Sequence, residues 1–409
     1  VTRPGTGELL DPDEERGARR LVAVAIARVR GGDLGAAPVI IGLVIIWTVF
    51  QSLNPVFLSS TNLVNLTMQC ASIGMITLGV VVVLLIGQID LSVGSVSGLS
   101  SALLAVALVQ WDWPWPLALL IAALSGVVVG LVYGVLLTRF GVPSFIITLA
   151  GLLAFLGLQL RVLGDTGSIN LPFDSALVTF AQQMFLPWWA GYVISVLAAG
   201  AYALSLVRRA RRREAADLGS DSVTRIVVRS GALLVVLLVA SWYLNLSRGT
   251  GVMFLLFVVA VVLMNVALTR TRWGRAVYAI GGSAEAARRA GIHVSRMYMS
   301  AFVVCSTLAA IGGILAASRL AAANQSSGGG DTNLNAIAAA VIGGTSLFGG
   351  RGSAFSALLG IVVVQSLSSG LTLLNLDSSV RYMITGAVLV LAVIVDAAAR
   401  RSRAAAGRA

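Results

Sequence analysis

The chain has 409 residues, 57% of them hydrophobic and 11% charged, with a mean hydropathy of +0.92 and a formal net charge of +12. So few charges cannot cover the surface of a soluble protein of this length, which excludes a soluble globular fold. All the basic residues are Arg, and in a membrane protein their excess marks cytoplasmic loops rather than a nucleic-acid partner.

In chain order, residues 1–37 mix Glu8, Asp11, Asp13, Glu14 and Glu15 with Arg16, Arg19, Arg20, Arg28 and Arg30. They lack the layout of a cleavable secretory signal and are expected to form a cytoplasmic tail. Apolar runs of about 20 residues then recur as far as Val395, the length that crosses a bilayer as helix. Candidate spans run roughly over 38–53, 65–87, 93–109, 117–138, 143–163, 188–207, 230–247, 252–269, 298–320, 333–348, 354–374 and 380–396. Those at 93–109, 143–163 and 333–348 are short or rich in Gly and Ser, so ten to twelve spans are expected. The fold class is therefore an all-α, polytopic transmembrane bundle. A membrane domain over 38–397 holds a charged connector at 208–229 and a polar loop at 270–297, and a basic tail closes the chain at 398–409.

Arginine placement orients the bundle. Alternate loops carry Arg139; Arg208, Arg209, Arg211, Arg212, Arg213, Arg225 and Arg229; Arg270, Arg272, Arg275, Arg288, Arg289 and Arg296; and Arg351. The intervening loops keep few, chiefly Arg248 and Arg381, and hold the Trp-rich segments 111–116 and 187–189. Both termini are thus expected in the cytoplasm, with the Trp loops at the outer interface.

Within the polar loop, Ser283 suits a helix N-cap, Glu285 the first turn, Arg288 and Arg289 the last turn, and Gly291 the left-handed closing position. The resulting helix, 284–290, is too short to stand alone. It needs a docking surface, and its small alanine face invites a groove on a partner. An ordinary Arg-rich loop is the plainer reading. At 87–95, Gly-Gln-Ile-Asp-Leu-Ser-Val-Gly-Ser places a carboxylate, Asp90, between apolar spans, a costly arrangement that marks function by default; Asp90 and Ser92 also suit a cap on the next helix. Gly126, Gly130 and Gly134, together with Gly94 and Gly98, recur at fourfold spacing and suit close helix packing. Polar side chains inside spans (Gln69, Thr148, Gln159 and Asn335 among them) suit either interhelical hydrogen bonds or a path for a neutral hydrophilic solute, since an amide both donates and accepts. Segment 342–353 is glycine-rich but lacks the Lys of a phosphate loop, so a tight turn is expected. It weakly echoes 86–100 in order and spacing.

Several chemistries are excluded or disfavoured. Cys70 and Cys305 sit in apolar runs, and His293 is the only histidine, so neither a disulfide framework nor a His-based metal centre is expected. No nucleophile and base converge, so catalytic residues are not expected. No GxxxxGK[ST] pattern occurs, so an ATP-driven process would need another chain.

Together, segments 87–95, 143–149 (Pro-Ser-Phe-Ile-Ile-Thr-Leu), Gly274-Arg275 with 278–281, 290–292, and 342–350 resemble the permease subunits of bacterial ABC importers for simple sugars, of the ribose and xylose type. The likeness covers about 54–396. Gln88 stands where that family more usually has Gly. The connector 208–229 and the long N-terminal tail look more like the xylose branch. The resemblance implies a multi-pass protein of the bacterial cytoplasmic membrane, paired with a second permease copy. It implies an extracytoplasmic sugar-binding protein and a cytosolic ATPase that binds ATP and Mg, with no cofactor in this chain. The ATPase would dock through Gly274, Arg275, Gly282, Ser283, Glu285, Arg288, Arg289 and Gly291. Path candidates are Gln69, Gln88, Asp90, Ser92, Thr148, Gln159 and Asn335. The expected cargo is a neutral monosaccharide, with a pentose such as xylose favoured over ribose, galactose, a nucleoside or a branched-chain amino acid. An ion-coupled secondary transporter is the rival from another class, with Asp90 as its one candidate relay.

Overall fold

The structure, a computed structural model, describes residues 37–216 and 222–377, then 379, 380, 382–387, 390, 391 and 394. The expected tails (apart from residue 37), Arg381, the middle of the connector and much of the span expected at 380–396 lie outside the described residues.

The helices in chain order are α1 (Ala37–Leu53), α2 (Ser60–Leu85), α3 (Val93–Ala105), α4 (Trp115–Arg139), α5 (Ser144–Leu163), α6 (Ala176–Gln182), α7 (Trp188–Glu214), α8 (Val223–Asn245) and α9 (Val252–Arg270). They continue as α10 (Arg272–Gly282), α11 (Ala284–Arg289), α12 (Val294–Leu320), α13 (Gly330–Ile342) and α14 (Ala354–Leu373). Two three-residue strands, β1 (Ser168–Asn170) and β2 (Ala322–Asn324), pair antiparallel with Ile169 opposite Ala323. Among the described residues nine helices are long and apolar enough to cross a membrane, and α1 is a shorter apolar helix. The polytopic helical bundle stands, with nine such helices among the described residues against the ten to twelve spans expected.

Local chemistry explains the helix starts. Pro114, Pro143 and Pro187 precede α4, α5 and α7, where a missing N–H costs nothing and the fixed φ suits entry. Ser59, Ser175 and Ser222 instead cap α2, α6 and α8 by accepting from Asn62, Val178 and Arg225 N–H groups.

Three expectations change. The segment 333–348 is not a span: α13 has 13 residues, about 20 Å of helix against the ~30 Å a bilayer core requires. It stops at Gly343 and Gly344, the latter at φ 100°. The segment 93–109 is one span of two textures, α-helical to Ala105 and π-helical over Val106–Gln110. The connector 208–229 shrinks, because α7 runs on to Glu214 and α8 begins at Val223.

The core lies on α12, which packs against α2, α3 and α4. On α4 the three glycines face α12: a Cβ at Gly126 would meet the Ser306 carbonyl, at Gly130 the Val303 and Phe302 backbone, and at Gly134 Met299. The helices therefore touch backbone to backbone, as expected from the spacing. By contrast, α7 and α8 pack on each other at the periphery, linked by a 3.1 Å Ser195–Ser241 hydroxyl contact. Their exposed Val, Leu and Ile side chains suit lipid.

Gly130→Leu is expected to force α4 from α12 and to destabilise the bundle by about 1–3 kcal/mol, the usual cost of overpacking. Gly157→Ala, with nothing within 4 Å of the added carbon, is expected to be neutral. Thermal unfolding in detergent, followed by a thiol dye reaching buried Cys70 and Cys305, measures both.

Candidate translocation and coupling sites

Helix α2 ends at Leu85, and Gly87 turns the chain at φ 73°, a conformation that suits only glycine there. The following segment does not stay at the bundle end. Asp90 is buried, and its Oδ2 accepts at 3.9 Å from the Cys305 thiol. Cys305 lies eleven residues into α12, about 16 Å along the helix. Segment 86–92 is therefore a re-entrant turn within the bundle. Asp90 Oδ1 accepts from the Ser92 N–H at 2.8 Å and from the Ser92 hydroxyl at 2.7 Å. The Tyr133 hydroxyl donates in turn to Ser92 Oγ at 2.7 Å. Tyr133 fits because Gly151 faces it without a side chain.

The expected Ser92 cap is absent: Ser92 makes no side-chain capping bond to α3. Its hydroxyl is committed to Asp90, so the pair braces the turn instead. Among the described residues no basic side chain pairs with Asp90. Thr148 joins the same cluster, its hydroxyl donating to Ser144 O at 2.9 Å and reaching Ile89 O at 3.4 Å. Gln88, Asp90, Ser92 and Thr148 thus meet around one turn.

The other path candidates lie elsewhere. Gln159 is buried near the strand pair, its Nε2 donating to Asn324 O at 3.0 Å and Ser327 O at 2.9 Å, while Oε1 has no partner. Gln69 is half-buried on α2. Asn335 lines a cleft between α13, α14 and residues 382–386. Gly94 and Gly98 do pack closely, against the irregular segment at 327–328 and against side chains of α13 and α5. A Cβ at Gly94 would meet Gly328 O and Asn333, and at Gly98 the Gln159 amide and Ser327 O. The Gly94 N–H donates to Asn333 Oδ1. Asn333 and Tyr133 were not singled out from the sequence; their partners are distant in the chain, and no local signal marks them.

The arginine-rich end carries α10 and α11. Thr271 caps α10, accepting from Gly274 N at 3.1 Å, and Ser283 caps α11, accepting from Ala286 N at 3.2 Å. Helix α10 is amphipathic, burying Gly274, Val277 and Ile280. Trp273 Nε1 donates to Ser300 Oγ at 2.9 Å, and the Tyr278 hydroxyl to Gly352 O at 2.9 Å. Burial raises the Tyr278 phenol pKa above its ordinary value, so it remains a donor. Gly274 sits against the Leu268 backbone, whereas Arg275 is exposed.

Helix α11, Ala284–Arg289, is shorter than expected. Two of its three alanines turn inward: Ala287 is buried and Ala284 packs on the bundle core, while Ala286 is exposed. The docking surface such a short helix needs is supplied by its own chain. What faces out is Glu285, bonded to Arg288 at 2.9 Å and Arg289 at 3.1 Å, with Gly282, Ser283 and Gly291 also exposed. Where α10 meets α11, a Cβ at Gly281 would strike Leu85 O and Gly350 N, and Gly350 N–H donates to Leu85 O at 2.9 Å. The expected tight turn at 343–352 is thus seated on the end of α2.

Residues 62–393 match the family described as branched-chain amino acid transport system / permease component. The chain belongs to this family. It is 37% identical over 90% of its length to the xylose transport system permease protein XylH of Escherichia coli K12, covering 91% of that protein. It is 34% identical over 83% of its length to the XylH of Haemophilus influenzae, covering 90% of it. To the ribose import permease protein RbsC of Bacillus subtilis it is 33% identical over 87%, covering 91%. No solved structure matches the chain. With nine long apolar helices among its described residues, this permease component is a multi-pass inner-membrane protein.

Tyr133→Phe is expected to cost about 1 kcal/mol, one net hydrogen bond. Asp90→Ala strands the buried Ser92 donors and is expected to cost about 1–3 kcal/mol. The thiol-dye unfolding assay ranks the two, and equal midpoints would remove the brace assigned to Asp90.

Proposed function

We propose that this chain is the membrane-spanning subunit of an ATP-driven ABC importer for a neutral monosaccharide, a pentose such as xylose. The observation that carries the reading is the 37% identity to a xylose permease over 90% of the chain. The arginine-rich end then faces the cytoplasm, with both termini on that side, and the Trp-rich loops face outward. Two copies of the permease flank the path. An extracytoplasmic sugar-binding protein delivers the solute, and a cytosolic ATPase binds ATP and Mg; this chain holds no cofactor and performs no catalysis. The ATPase docks on the outward face of α11 (Ser283, Glu285, Arg288, Arg289) with Arg275, Gly282 and Gly291 beside it, while Gly274 seats α10 on the bundle.

The relatives named for xylose and ribose support a sugar over the branched-chain amino acid of the family description. Asp90 is the residue that ion coupling would use. Its carboxylate is closed in by Ser92 and Cys305, with no basic partner among the described residues, which favours a brace over a relay.

Reconstituted with its ATPase and binding protein, the permease is expected to accumulate labelled xylose with ATP, unaffected by ionophores. Ribose, galactose and leucine should enter at least roughly tenfold more slowly. Uptake that collapses with the ion gradient would overturn the ATP-driven reading. Replacing Glu285, Arg288 and Arg289 together with Gln is expected to release the ATPase on purification while the folded permease remains. Intact co-purification and uptake in that variant would sink the docking assignment.

A further inference from the structure

The interior of this bundle spends its polar groups. Ser97, Ser100, Ser101, Thr148 and Ser318 all donate to backbone carbonyls. Scattered single atoms such as Gln159 Oε1 and Ser306 Oγ stay unpaired, but several unpaired polar side chains gather in the cleft between α13, α14 and residues 382–386, about 210 Å³ in volume. Its α13 wall presents Asp331, Leu334, Asn335 and Ala338, and its α14 wall Val364, Ser368 and Leu371. These positions fall at the three- and four-residue steps that share a helix face. Tyr382, Thr385 and Gly386 close the third side.

The glycine contacts fix how the walls meet. Gly360 lies against Ala339 and Gly343 against Ser356, an antiparallel register that sets Asn335 beside Val364 and Asp331 beside Ser368. Ser368 is five residues before the end of α14, about 7.5 Å below it. The cleft therefore lies within the outer half of the bundle, not at its rim. Among the described residues, no protein group bonds the Asp331 carboxylate, the Asn335 amide, the Ser368 hydroxyl or the Tyr382 hydroxyl. An unpaired carboxylate at that depth cannot face lipid without a large cost, so the cleft must open to water.

We propose that this cleft is a binding station for a single neutral polyhydroxylated ring on its way through the permease. Asn335 both donates to and accepts from sugar hydroxyls, Asp331 accepts from two adjacent hydroxyls, and Ser368 supplies a third contact. The exposed Tyr382 ring offers a flat apolar surface with a polar edge, matched to the C–H face of a sugar. Leu334, Val364 and Leu371 form the apolar remainder, and Ala338 and Gly386 leave room for the ring. A cleft of this size is below the ~300–1,000 Å³ of drug-sized sites and suits one monosaccharide. This assignment rests on the sugar-importer reading above.

The test uses the permease reconstituted with its ATPase and binding protein. Wild-type uptake of D-xylose, or of whichever monosaccharide the wild type carries, is measured first, because failure there strikes the importer reading and not the cleft. Asn335→Leu is then expected to lower uptake of that sugar at least roughly tenfold, with ATPase co-purification unchanged. Asn335→Gln should keep partial uptake with a raised KM. Ser368→Cys is expected to react with a membrane-impermeant thiol reagent, and saturating sugar should slow that reaction severalfold. Uptake within twofold of wild type in Asn335→Leu, or labelling of Ser368→Cys that the transported sugar leaves unchanged, overturns the station. Should Asn335→Leu fail to assemble, the labelling of the conservative Ser368→Cys variant decides alone.

Discussion

Between helices in a bilayer there is no hydrophobic gain to drive contact, because lipid tails are as apolar as the side chains they would replace. Close approach and hydrogen bonding must do that work, and here both converge on α12. Glycines on α4 meet its backbone on one side, and Gly79 of α2 meets Cys305 on another. Its own Gly312 and Gly313 admit Ile76 of α2 and the Ser97 carbonyl of α3. Where backbones come near, serines exploit it: Ser100 donates to Ala122 O and Ala310 O at 3.0 Å each, and Ser101 to Gly313 O at 2.8 Å. A Cβ at these crossings would remove the contact and the hydrogen bond together.

That central column lets the chain leave helical geometry inside the membrane domain. Irregular backbone at membrane depth survives only where protein or water satisfies it. The turn at 86–92 enters from one end beside α12, braced by Asp90, Ser92 and Tyr133. Segment 325–329 approaches from the strand-paired end and is held by Gln159 and by the glycines of α3. The two meet at Gly94, whose N–H takes Asn333 as acceptor. Helix α3 is therefore short because irregular segments occupy the height its first turns would have filled.

The features legible in the sequence are those written in local code. The glycine spacing of α4, the caps at Ser283 and Gly291, and the length of most spans follow from neighbours in the chain. Missed features depend on partners far away. Composition marks 333–348 as apolar enough for a span, yet Gly343 and Gly344 stop α13 because the turn behind them is seated on Leu85. The Asp90–Ser92 pair reads as a cap, but Tyr133, forty-one positions on from Ser92, and Cys305 make it a brace. The alanines of α11 read as a surface for a partner, while Ala284 and Ala287 pack against the bundle and leave Ala286 with the charged face outward.

The arginine-rich end gains its significance from what it touches. Helix α10 is held to α12 through Trp273 and to the glycine-rich turn through Tyr278. Its last residues contact Leu85 and Gly350 with no side chain between them. From Leu85 the chain runs directly into the Asp90 turn, and from Gly350 into α14, one wall of the polar cleft. Packed backbones shift as units rather than deform. On the proposed reading, a push on the exposed face of α11 therefore reaches the re-entrant turn and the cleft wall through the same glycine junction. Coupling and transport are then joined at the one point where three backbones meet without side chains.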